Sequence, residues 1–244
     1  MRTRFVALLV LPIVASGLCS CGPGESPLVD GTDSGTATAS PPAPTFTEAP
    51  ERELTEVYRD TFDDNSGDWI ERNSPGNTIT DGVFRVEESA GQSFRWLGNV
   101  PYALMPLEEA RLTATVATQS LTSLGVYCRV DRSFTALYRL SLEKAGTYIR
   151  KAELDETTTI LFEDSSRTLP PDFAGTLTFD CFQEDDGYHL QIALDGTVIA
   201  QAVDAEAVPE GGVFTLTWQN DVARDSDPPY VLELDELVIE VPAA

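Results

Sequence analysis

Histidine is nearly absent from this chain. One His in 244 residues, His189, leaves no His-rich metal motif, and a Ser-His-Asp triad could be built around that residue alone. Its place between Tyr188 and Leu190, on the outward parity of a strand, reads as an exposed side chain. Basic residues are scarce too: 16 Lys and Arg stand against 40 Asp and Glu, a formal net charge of −24. That balance argues against nucleic acid as a partner and against binding anionic headgroups through the protein surface. No glycine-rich phosphate loop is present. The N-terminal apolar run, from Phe5 to about Val14, is shorter than the about 20 residues of a spanning helix.

That run has another use. Met1-Arg2-Thr3-Arg4 is a basic start, the apolar stretch follows, and Ala15, Ser16 and Gly17 form a small-residue exit, the layout of a secretory signal. A soluble export signal cut before Cys19 would want small residues three and one before the cut, and Leu18 fits that poorly. Leu18-Cys19-Ser20-Cys21 instead resembles the bacterial lipobox, which makes Cys21 the lipidated residue and 1–20 a discarded signal peptide. The expected location is the extracytoplasmic face of a bacterial cell membrane, held by acyl chains at about 0.8 kcal/mol per buried methylene. The mature chain then carries 14 basic against 40 acidic groups.

Four cysteines less Cys19 and Cys21 leave Cys128 and Cys181, one possible pairing, and an oxidising location makes a disulfide their natural state. A metal site is the rival, but two Cys and one His cannot supply four soft ligands. Residues 21–56 are rich in Pro, Gly, Ser, Thr and Ala with no apolar period, so they read as a disordered, flexible linker. The domain is expected over 57–241.

Within it, short runs alternate with period 2. Leu112, Ala114 and Val116 share a face, as do Leu124, Val126, Cys128 and Val130. Further sets are Tyr138, Leu140 and Leu142; Leu177, Phe179 and Cys181; Tyr188, Leu190, Ile192 and Leu194; and Phe214, Leu216 and Trp218. Turn pairs such as Ala145-Gly146 and Asp195-Gly196 separate them. The pattern predicts an all-β, two-sheet antiparallel sandwich with both cysteines inward. Leu232 and Leu234 differ in parity from Leu237, Ile239 and Val241, which predicts a β-bulge at Asp235-Glu236.

Several stretches together resemble the concanavalin-like jelly rolls, and within them the laminin-G-like group that includes the 3-keto-disaccharide hydrolase domains. They are Asp60-Thr61-Phe62-Asp63-Asp64-Asn65-Ser66-Gly67-Asp68-Trp69, Gly125-Val126-Tyr127-Cys128-Arg129, Tyr138-Arg139-Leu140, Gly146-Thr147-Tyr148, Leu194-Asp195-Gly196 and Leu234-Asp235-Glu236-Leu237. The resemblance implies a jelly-roll fold over about 57–241. Leu234 and Leu237 depart from the commoner Phe, and the 220–229 stretch reads as an insertion.

Candidate chemistry is sparse. Some relatives of this sandwich hydrolyse glycosides with three acids at alternate positions of one strand, Glu-x-Asp-x-x-Glu or one residue tighter, two of them about 5–5.5 Å apart in a retaining mechanism. Glu153-Leu154-Asp155 and Glu233-Leu234-Asp235 start that pattern and neither completes it, so both read as solvated faces. Asp60, Asp63 and Asp64 on the first strand and Asp235 on the last could converge on a structural calcium, which wants six to eight oxygens, and related carbohydrate-binding modules add support. Arg129, Arg132, Arg139, Arg150 and Lys151 crowd into 23 residues. Tyr127, Arg129 and Arg139 share outward parity, and guanidinium donors beside an aromatic ring suit glycans. Cross-strand pairing of these cations with Glu143, Glu153 and Asp155 is the plainer account. Trp69 and Trp218 read as core, with Trp96 open. The leading expectation is a non-catalytic surface lipoprotein for glycan or envelope-protein recognition. A sugar-processing enzyme of the 3-keto-disaccharide hydrolase type and a structural envelope subunit are the alternatives.

Overall fold

A computed structural model describes residues 46, 52–64, 66, 77–88, 95–97, 107–130, 136–153, 157–208, 211–219 and 230–243. The signal segment, Cys21 and most of the 21–56 linker lie outside the described residues, as do Trp69, Arg132 and Asp155. No helix among the described residues is long and apolar enough to cross a membrane.

Fourteen strands are seen among these residues: β1 (Leu54–Asp60), β2 (Asn77–Thr80), β3 (Val83–Glu88), β4 (Arg95–Leu97), β5 (Ala110–Gln119), β6 (Ser123–Val130), β7 (Ala136–Glu143), β8 (Gly146–Glu153), β9 (Thr158–Asp164), β10 (Asp172–Glu184), β11 (Gly187–Leu194), β12 (Thr197–Asp204), β13 (Val213–Gln219) and β14 (Tyr230–Pro242). They form two antiparallel sheets, an all-β jelly roll. One has eight strands in the order β12-β11-β10-β5-β14-β3-β2, with β1 also on β14. The other has six, β4-β13-β6-β7-β8-β9.

The period-2 reading describes this core. On β5 the residues alternate buried and half-buried along nearly the whole strand, with Leu112, Ala114 and Val116 inward. Leu124, Val126 and Cys128 of β6 face Leu177, Phe179 and Cys181 of β10 across one apolar core, and Trp218 lies in it as expected. On β14 the pairing with β5 shifts between Leu234 and Glu236, so the bulge falls where the parity break placed it and keeps Leu234 and Leu237 both inside.

The ordered domain starts earlier than the sequence pattern predicts. β1 begins at Leu54, which pairs with Pro242. Ahead of it, Arg52 lies 4.1 Å over the Phe182 ring and bonds Glu184. Phe46 sits 5.8 Å from the Phe162 ring on β9.

Covalent and polar links tie the sheets together. The Cys128–Cys181 disulfide joins β6 to β10, with Cα atoms 6.6 Å apart. Beside it runs a polar network. Tyr138 of β7 stacks on Tyr188 of β11 at 5.1 Å, and its hydroxyl donates to Asp204 Oδ2 of β12 at 2.7 Å while accepting from Val208 N at 2.9 Å. Lys151 Nζ of β8 pairs with the same Asp204 oxygen at 3.0 Å. Burial pushes the Asp204 carboxyl up, but the Tyr138, Lys151 and Glu206 N–H donors outweigh it and hold the group below the usual carboxylate range. A carboxyl depressed on folding contributes stability above its unfolded pKa, near 3.9, and that contribution is lost as pH falls through the folded value. Asp204→Asn is therefore expected to be less stable than wild type at pH 7, with the gap closing at strongly acid pH. Urea unfolding at pH 7 and below pH 3 measures this, and an equal gap at both would refute it.

Candidate functional site

The outward face of the six-stranded sheet gathers the polar side chains that period 2 leaves on the other side of the core residues. From β6 come Ser123, Gly125 and Tyr127, from β7 Arg139, Ser141 and Glu143, from β8 Tyr148 and Arg150, and from β13 Thr215 and Thr217. Register brings them into rows. Thr215, Tyr127, Arg139 and Arg150 lie side by side, and Thr217, Gly125, Ser141 and Tyr148 form the next row. Strand β4 pairs with β13, with Trp96 in register with Thr217.

The small hydroxyl residues make a floor. Ser141, Thr215, Thr217 and Ser123 are 0–5 % exposed, and Thr217 Oγ1 donates to Gly125 O at 3.2 Å. The larger groups stand on it. Glu143 is the hub: Arg150 Nη1 reaches its Oε1 at 2.6 Å and Nη2 its Oε2 at 3.3 Å. Arg139 Nη2 lies 3.2 Å from Oε1 and donates to Ser123 Oγ at 3.0 Å, while Ser141 Oγ donates to Oε1 at 2.7 Å. The Arg150 guanidinium lies 3.9 Å over the Tyr148 ring. Burial pushes the Tyr127 hydroxyl up, against the pull of Arg139. Such a face can bind hydroxyl-bearing and anionic groups. Glycosidase chemistry needs two carboxyl groups, and among the described residues this face presents Glu143 at the end of β7, with Glu163 exposed at the β9 rim opposite Tyr148.

Of the three residues the sequence grouped, two stay together and one leaves. Tyr127 and Arg139 are directly opposed. Arg129 is not on this face, which corrects the expectation. Its φ is +52°, and the β6–β13 register shifts between Val213 and Thr215, so an extra residue on β6 turns the Arg129 side chain inward. There it is 9 % exposed, 4.6 Å over the Tyr188 ring, and donates to Gln183 Oε1 at 3.2 Å. Lys151 also leaves, to Asp204. The pairing of Arg139 and Arg150 with Glu143 is the plainer account of the sequence, and Tyr148 is the member it lacked. The Gly146 turn and the alternation of Tyr148 with Arg150 were the available signal.

The acidic stretches are occupied locally. Asp60 accepts from Phe62 N at 2.8 Å and Tyr58 Oη at 3.0 Å, Asp63 from Thr61 Oγ1 at 2.8 Å, and Asp64 from Ser66 N at 2.7 Å. Asp235 is exposed at the bulge, and no group of three or more His, Cys, Asp or Glu that could hold a metal is found among the described residues. Turn N–H groups and hydroxyls thus engage Asp60, Asp63 and Asp64, and the calcium expectation for Asp60, Asp63, Asp64 and Asp235 gains no support from these residues. Glu233 pairs with Arg85 and Glu236 with Arg59 on the eight-stranded sheet's outer face. Glu153 is exposed, and His189 Nε2, on β11 and half-buried, meets Oδ1 of Asp186 in the preceding turn at 2.6 Å.

No family model matches the chain, and no curated protein aligns with it. Solved structures do. A 1,3-α-1,4-β-D-galactose-4-sulfate-3,6-anhydro-D-galactose 4 galactohydrolase is 10 % identical, covering 84 % of this chain and 99 % of its own, at a TM-score of 0.51. A protein named BuGH16Bwt is 9 % identical over 79 % of this chain and 94 % of its own, with a TM-score of 0.52. A chain from work on human gut microbiota members that express endo-acting O-glycanases to initiate mucin breakdown is 8 % identical, covering 78 % and 100 %, with a TM-score of 0.50. At these identities the likeness is one of fold, and the fold is the two-sheet antiparallel jelly roll.

Proposed function

We propose that this protein is a membrane-anchored extracytoplasmic lipoprotein whose sandwich recognises glycans through the outward face of its six-stranded sheet. The observation that carries the reading is the row Tyr127, Arg139, Arg150 over a hydroxyl floor. Aromatic faces, guanidinium forks and Ser/Thr hydroxyls are the groups that hold sugar rings and their substituents. The names of the two jelly rolls described as a galactohydrolase and as O-glycanases support a glycan over other ligands. A carboxylate shared by two arginines supports binding rather than hydrolysis.

A glycan array probed with the mature protein tests this. Signal on one glycan class supports recognition, whereas a silent array supports a structural envelope subunit. Turnover of keto-disaccharides would support the sugar-processing alternative. The anchor has its own test. Cys21→Ser is expected to lose fatty-acid labelling and leave the membrane fraction, while Cys19→Ala keeps both; label retained in the Cys21 variant would contradict lipidation there.

A further inference from the structure

Away from the proposed glycan face, a polar row crosses the outer surface of the eight-stranded sheet. Arg111 of β5, Asp180 of β10, Gln191 of β11 and Gln201 of β12 stand in direct register. Two of them are buried: Asp180 is 3 % exposed and Gln191 8 %. Asp180 is satisfied, because Arg111 donates to both its oxygens, from Nε to Oδ1 at 2.7 Å and from Nη2 to Oδ2 at 2.8 Å. Gln191 is only half satisfied. Its Nε2 donates to Asp180 Oδ2 at 3.4 Å, and its Oε1 is buried with no hydrogen-bond partner. Turning the amide over gives no relief, since that would set its oxygen against the Asp180 carboxylate. A buried acceptor left unpaired carries its full desolvation cost, so Oε1 calls for a donor.

Space for that donor lies beside it. Arg52, Asp180, Gln191 and Gln201 line a cavity of about 10 Å³, the room that one water needs. We infer that a single ordered water binds there, donating to Gln191 Oε1 and bridging the polar row to Arg52. The Gln201 amide, directly opposed to Gln191, gives the water a second partner, and the Arg52 guanidinium donates to its oxygen. A monovalent cation of similar size is disfavoured, because that guanidinium shares the walls. The water has a mechanical consequence. Arg52 precedes β1 and already rests on the Phe182 ring and on Glu184. A bridge to the polar row adds a further tie, so the water fastens the point at which the N-terminal chain enters the domain.

The test uses the mature full chain. Its crystal structure is expected to show one water within hydrogen-bond reach of Gln191 Oε1 and the Gln201 amide. Nuclear Overhauser contacts between long-lived water and both side-chain amides should report the same site in solution. Gln191→Met keeps the side-chain length and removes the acceptor, so the water contact at Gln201 should vanish. Trypsin reads the fastening, because cleavage after Arg52 requires that side chain to leave its seat. That cleavage should quicken severalfold in Gln191→Met, while cleavage after Arg59 on β1 keeps its rate. Gln201→Met, at a half-buried position of the edge strand β12, should act in the same direction and guards against a folding defect in the first variant. A dry cavity would overturn the inference. So would cleavage after Arg52 at the wild-type rate in both variants, or equal acceleration at Arg52 and Arg59, which marks a loss of global stability instead.

Discussion

Replacing Cys128 and Cys181 together by Ala is expected to lower the stability of the domain by about 2–5 kcal/mol. The bond spans 53 residues of sequence, and the chain-entropy account assigns a loop of that size about 4 kcal/mol through the unfolded state. Both residues are fully buried where β6 of one sheet crosses β10 of the other, so the substitution also removes two sulfurs from the core. Reduction without substitution keeps the atoms and removes only the cross-link, which separates the two contributions. For a domain of this size the shift is roughly 10 °C in melting temperature. A reduced protein that unfolds at the same urea concentration as the oxidised one would show that the link adds nothing.

A second large effect is expected at Gly125. A Cβ built there lies 2.1 Å from Leu140 O and 2.8 Å from Ser141 Cα, both backbone atoms of the neighbouring strand β7. No rotamer relieves a clash with backbone, so Gly125→Ala must part β6 from β7 in the middle of the six-stranded sheet. Overpacking typically costs about 1–3 kcal/mol and more when backbone must move, and about 3 kcal/mol or more is expected here. The same movement displaces Ser141 and with it the Glu143 hub, so the binding face should fail along with stability. Gly196→Ala is the control. Its φ is +76° and nothing lies within 4 Å of the new methyl, so it pays left-handed strain alone, about 1–2 kcal/mol. Urea midpoints for the two variants should differ clearly. A Gly125→Ala protein as stable as wild type would mean that β6 and β7 do not approach this closely.

The sheets were legible in the sequence because period 2 is a direct image of which side chains face the core. Leu112, Ala114 and Val116 declared β5, and the parity break between Leu234 and Leu237 declared the β14 bulge, because that strand continues long enough past it to register the shift. The bulge at Arg129 left no such trace. Strand β6 ends at Val130, one residue later, so no downstream alternation reveals that Arg129 has turned inward. The pairing of Arg139 and Arg150 with Glu143 was legible as cross-strand charge pairing, whereas the register that sets Arg150 directly opposite Arg139 depends on the Ala145-Gly146 turn in three dimensions. Phe46 and Arg52 dock through single side chains, and a lone Phe or Arg in a Pro/Thr-rich stretch carries no periodic signal.

The outward face of the six-stranded sheet is the proposed place where a glycan binds. The direct measurement compares wild type with a Tyr127→Ala, Arg139→Ala, Arg150→Ala variant on one glycan array, with melting recorded for both. Arg129→Ala serves as the reference, since that side chain packs between the sheets and its loss should lower stability while leaving binding intact. The predicted result is a wild-type signal that disappears in the triple variant at a cost of only a few degrees in melting temperature, because the three side chains are half-buried surface groups and such ion pairs contribute little. An array signal that survives all three changes would contradict it.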